Sequence, residues 1–95
     1  METKQSFRQK IEAQKAEIQA DVHALRARVK KLEAEGRRDL SGALETIERK
    51  RAEAETKLDG IKNDSADAWE NAKGNVEAAY SDLRKAVSNA VERFR

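Results

Sequence analysis

Few side chains in this sequence are of the types that do chemistry, and their spacing limits what they can do. His23 is the only histidine, and there is no cysteine. No His-Glu-x-x-His or Cys/His spacing is present, so no metal centre is expected. The missing cysteines also remove disulfides and thiolate nucleophiles, which fits a reducing compartment. Carboxylates occur in close pairs: Glu33 with Glu35, Glu45 with Glu48, and Glu53 with Glu55. General acid–base work needs such pairs walled off from water so that their pKa values separate. Nothing here supplies the wall. The same residues have cations one helical turn on, as Glu33 with Arg37, Glu45 with Arg49 and Glu53 with Lys57. Each such pair supports a helix by about 0.3 kcal/mol. The chain is therefore expected to be no enzyme, with no catalytic residues, no cofactor-binding residues and no metal.

Arg26, Arg28, Lys30, Lys31, Arg37 and Arg38 place six cations against Glu33 and Glu35. Such a segment could meet the phosphates of nucleic acid or lipid, since non-specific binding needs only charge. No aromatic residue lies among them and base-reading residues are missing, so nucleic acid is not the expected partner. Gly36 and Gly42 are no phosphate loop, because no Gly-Lys-Ser/Thr follows them. Trp69 reads as a core anchor rather than a ligand platform. Arg51 and Lys73 occupy otherwise apolar positions, and are expected to lay their methylenes along the seam with the charge outward.

These side chains must be carried by helices. Of the 95 residues 40% are charged and 4% aromatic, proline is absent, and mean hydropathy is −0.95. Alanine, glutamate, lysine, arginine and leucine dominate, a helical-rod composition that excludes a large layered enzyme core. Twenty basic and 18 acidic residues nearly cancel to +2, which argues against a self-repelling disordered chain. Phe7, Ile11, Ile18, Val22, Leu25, Val29, Leu32, Leu40, Leu44, Ile47, Leu58 and Ile61 share one face. On an ideal helix they fall in a stripe about 120° wide. His23 lies on the opposite side. The repeats are heptads with one extra residue between Leu32 and Leu40, which reads as an eleven-residue insertion in a coiled coil.

The stripe keeps its phase across Gly36 and Gly42, which predicts one continuous helix over about 3–60. A break near Gly36–Gly42, giving a three-helix bundle, is the alternative. A turn is predicted at Asp59–Ser65, where Gly60 and Asn63 can take left-handed dihedrals and Asp64 or Ser65 can cap the next helix. Trp69, Val76, Tyr80, Leu83, Val87, Val91 and Phe94 then form an amphipathic helix over about 65–94. The expected fold is all-α, an antiparallel helical hairpin or coiled coil in a single domain, 1–95.

A first helix of that extent would be ~87 Å long against ~45 Å for the second. The second could not cover Phe7, Ile11, Ile18, Val22, Leu25 and Val29. An uncovered stripe marks an interface, so these six are expected to meet a second copy in a homodimer or higher homo-oligomer, or a helix of a protein partner. The same stripe could lie on a membrane surface in the manner of apolipoproteins. No run approaches the ~20 apolar residues of a transmembrane span, and no secretory signal is visible near Met1. A cytoplasmic protein is expected.

Met1-Glu2, Lys4-Gln5, Phe7-Arg8 and Lys10-Ile11-Glu12-Ala13-Gln14, with Ala68-Trp69-Glu70, Lys73, Glu77-Ala78-Ala79, Asp82-Leu83 and Ala86-Val87, carry a resemblance. In these motifs the chain resembles a small bacterial stress-response coiled-coil family known from cyanobacteria and proteobacteria. The similarity covers nearly the whole chain. It is moderately specific at both ends and vague in the charged middle, and Gly36–Gly42 departs from the more Ala- and Glu-rich middle of that family. The resemblance implies a non-enzymatic helical protein associated with stress, without an established molecular activity, cofactor or ligand. Two other functions fit the residues: an amphipathic lipid-surface protein, and a desiccation-type protective chain that is disordered when dilute.

Overall fold

In the computed structural model, which describes residues 3–61 and 66–94, Thr3 opens the first helix. Its extended backbone stops the helix from running further back, and its hydroxyl accepts a hydrogen bond from the Ser6 amide at 3.0 Å. This satisfies one of the amides that a helix start leaves unpaired. Helix α1 then spans Lys4–Val29, α2 spans Ala34–Gly60 and α3 spans Ala66–Arg93. All secondary structure among the described residues is helical.

The predicted continuous first helix does not form. The chain turns at residues 30–33, ahead of Gly36 and Gly42, both of which lie inside α2. The last turn of α1 tightens into i→i+3 bonds, Lys31 N to Arg28 O at 2.9 Å and Leu32 N to Val29 O at 3.4 Å. Glu33 is extended, and its carbonyl accepts the first bond of α2 from the Arg37 amide at 2.8 Å. No glycine or proline makes this reversal. Leu32 folds over the first turn of α2 beside Gly36, where a side chain would meet Leu32 Cβ at an ordinary contact distance of 3.4 Å.

At the second turn, α2 ends at Gly60 with no positive φ, contrary to the left-handed expectation there. The cap residues expected at Asn63, Asp64 and Ser65 lie outside the described residues. The start of α3 at Ala66 agrees with the expected second amphipathic helix.

The outcome is a three-helix bundle in place of a two-helix hairpin. Helices of 26, 27 and 28 residues are each ~40 Å long. They pack into a body of 50 × 18 × 16 Å with a radius of gyration of 15.4 Å. One core holds apolar residues of all three helices, Trp69 and Tyr80 among them, and no charged residue among the described ones is buried. At one end Phe7 meets Trp69 edge to face, with ring centroids 6.0 Å apart. Ile11, Leu40, Ile47, Val76, Tyr80, Leu83 and Val87 are sealed along the axis.

The six residues assigned to an intermolecular interface are where this matters most. Phe7, Ile11, Ile18, Val22 and Leu25 are buried within the single chain, and Val29 is half-buried against the same core. The expectation of a second copy rested on their being uncovered. Folding at residues 30–33 brings α2 and α3 over them, and so removes that premise. Every helix pair is also tied by charge: Arg26 to Glu48, Lys50 to Asp82, Arg84 to Glu17 and Arg93 to Asp39.

Candidate functional site

The turn at 30–33 gathers charge. Arg26 and Arg28 close α1, Lys30 and Lys31 occupy the turn, and Arg37 and Arg38 lie in the first turns of α2. All six therefore sit at one end of the bundle. Residues 26–38 hold six basic and two acidic side chains, a net +4, so the rest of a chain of net +2 carries −2. The excess positive charge is concentrated at that pole of the bundle.

Ion pairs do not cancel this excess. Arg26 donates to Glu48 Oε1 at 2.6 Å, and Arg93, arriving at the same end on α3, lies 3.6 Å from Asp39. Arg28, Lys30, Lys31, Arg37 and Arg38 are exposed, and none forms an ion pair among the described residues. Glu33 and Glu35 flank the amino end of α2, where negative charge complements the helix dipole. That role accounts for them as a pair with no need of catalysis. Between the cations lie two aliphatic side chains the core does not wholly cover, Val29 and Leu32.

The opposite end differs in chemistry. Trp69 is buried beside Phe7, with the Lys73 ammonium 5.1 Å from its ring centroid and 3.8 Å from Glu70. Lys73 thus covers the indole while its charge reaches solvent, as its stripe position suggested. Arg51 does the same midway along α2, between Glu48 and Glu55 at 3.5 Å each. The Trp69 Nε1 and the Tyr80 hydroxyl are enclosed without a hydrogen-bond partner among the described residues. Burial, together with the nearby Glu55, Glu12 and Asp59 carboxylates, pushes the Tyr80 phenol up to about 12. Neither group could be foreseen as an orphan, because the sequence shows a polar tip but not whether a neighbour reaches it.

His23 is exposed. No three His, Cys, Asp or Glu side chains among the described residues come together as a metal site would require. The pairs Glu45 with Glu48 and Glu53 with Glu55 lie along α2, where Glu48 and Glu55 are taken up by arginines. A shallow groove between α1 and α3, lined by Lys10, Gln14, Glu77, Ser81, Arg84 and Lys85 among others, lies open to solvent. No helix among the described residues is long and apolar enough to cross a membrane. No protein-family model, curated protein or solved structure matches this chain.

Proposed function

We propose that this is a non-enzymatic helical-bundle protein that acts by association, as a closed folded unit, in a bacterial stress response and in the cytoplasm. The observation that supports the reading is the mutual closure of three apolar faces in one chain. A chain that hides its stripe internally offers partners a charged helical surface rather than a sticky seam, and recognition then falls to side chains such as those at the α1–α2 end. The stress setting rests on the resemblance of the terminal motifs, which from Lys4 onward fall on α1 and α3. A self-associating stripe or a helix laid along Phe7–Val29 would first require the bundle to open, and so would a lipid-surface mode that uses the stripe.

Far-ultraviolet circular dichroism of the dilute chain tests the folded premise. High helicity with a cooperative, concentration-independent melt is expected; helicity gained only with anionic vesicles would point to the lipid-surface alternative, and low helicity with and without them to the protective chain. In the source bacterium, stress survival lost on deletion of the gene is expected to return with the wild-type chain. It is expected not to return with Ile11→Asp, which places a charge in the sealed core. Rescue by Ile11→Asp would overturn the claim that the closed bundle is the working form.

A further inference from the structure

We infer that the α1–α2 end of the bundle docks on an anionic lipid surface with the bundle intact and its long axis raised from the membrane. The inference rests on the reading above and names the partner. Five exposed cations without ion pairs, Arg28, Lys30, Lys31, Arg37 and Arg38, converge on a tip about as wide as the bundle's 18 × 16 Å section. A layer of acidic headgroups attracts each basic residue that comes near it. Because these cations lie at one end of the rod, docking through them turns the long axis away from the surface.

The apolar component fits the same partner. Leu32 sits at the apex of the turn, half-exposed among the lysines, where it can enter the headgroup boundary while the cations remain at its level. Nucleic acid fits less well. Phe7, Trp69, Tyr80 and Phe94, which are all the aromatics of the chain, are buried, leaving none to stack on bases. A blunt tip also meets far fewer phosphates than a basic stripe along a helix would.

The test is co-sedimentation of the full-length chain with phosphatidylcholine vesicles and with vesicles that also contain phosphatidylserine. Binding is expected only to the second and is expected to fall as salt rises. Each basic residue near such a surface is worth about fivefold in partitioning. The variant Lys30→Gln/Lys31→Gln/Arg37→Gln is therefore expected to lose about a hundredfold. Arg49→Gln/Lys57→Gln/Lys85→Gln, with the same net charge but its changes away from the tip, is expected to lose less than about tenfold. Trp69, at the opposite end and the only tryptophan, is expected to keep its emission on binding.

Equal losses from the two variants would overturn the inference, as would equal binding to neutral vesicles or a shift in Trp69 emission that reports opening of the bundle. Tighter, tip-dependent binding to duplex DNA or to RNA would overturn it too. A chain that melts cooperatively yet ignores anionic vesicles sinks this inference alone. A chain without a cooperative melt sinks the reading beneath it.

Discussion

Replacing Tyr80 with phenylalanine removes one oxygen atom from the interior and leaves the ring in place. The residue is 0% exposed and its hydroxyl has no partner among the described residues, so folding strips that group of water without a hydrogen bond in return. An uncompensated hydroxyl costs roughly 1–3 kcal/mol. Losing the oxygen's packing contacts offsets part of the gain, and Tyr80→Phe is expected to stabilise the bundle by about 1 kcal/mol at pH 7. Most core substitutions destabilise, so the sign itself is informative. The pH dependence adds a second reading. Folding holds the phenol at about 12 against about 10 when unfolded, so the folded state favours the protonated form. Below pH 10 both states keep the proton and no penalty arises. Above it the unfolded chain ionises first, and stability falls until the folded phenol ionises as well. At pH 11 the wild type should have lost on the order of 1 kcal/mol that the phenylalanine variant keeps. Urea denaturation followed by circular dichroism at pH 7, 9 and 11 measures both effects, and lysine titration cancels in the difference between the two proteins. Because Tyr80 is the only tyrosine, absorbance of the phenolate reports its titration directly. A variant less stable than wild type by more than about 1 kcal/mol, a typical hydrogen bond's worth, would show that the hydroxyl has a partner. A half-titration near 10 with the helices intact would refute the burial argument.

Ile11→Ala empties a fully buried position in α1 and is expected to lower the unfolding free energy by about 2–5 kcal/mol in urea. Thr3→Ala removes the hydroxyl that holds the Ser6 amide, and should cost about 1 kcal/mol by thermal melting. Gly42 is exposed inside α2, and a methyl added there would meet nothing within 4 Å, so Gly42→Ala should gain about 0.5–1 kcal/mol. Gly36→Ala would bring its methyl into ordinary contact with Leu32 at 3.4 Å, and should also gain about 0.5–1 kcal/mol in the same melt.

The helical content and the membership of the core could both be read from residue spacing. Each of the twelve stripe residues from Phe7 to Ile61 is buried or half-buried, as are Trp69, Val76, Tyr80, Leu83, Val87, Val91 and Phe94. The turn at 30–33 could not be read in this way. It holds Lys30, Lys31, Leu32 and Glu33, none of them a residue that breaks helices strongly. The glycines that suggested a break nearby, Gly36 and Gly42, are both helical. Phase continuity misled for a physical reason. A helix that folds back onto the same core must again turn its apolar face inward, so the stripe resumes whether or not a turn intervenes. The basic segment was visible in the sequence, but its gathering at one end follows from the turn.

One signal in the sequence does separate a bundle from a hairpin, and it is the width of the stripe. A two-helix coiled coil seals a narrow seam of a and d positions, whereas a helix with two neighbours must cover a broader arc. The stripe of about 120° matches the second case. The ion pairs confirm how the broader arc is used: α2 reaches α1 through Glu48 and α3 through Asp39 and Lys50, on either side of its buried face. From Asp39 to Lys50 is eleven residues, and so is the step back from Arg93 to Asp82. Eleven residues make three full turns, so both pairs fall on one line and hold a single antiparallel register. Exposed pairs add little to stability, but two on one line discriminate against a slip by one turn, which would separate both at once. Three stripes of nearly equal length thus let a single chain cover the apolar surface that one unbroken rod would have left exposed.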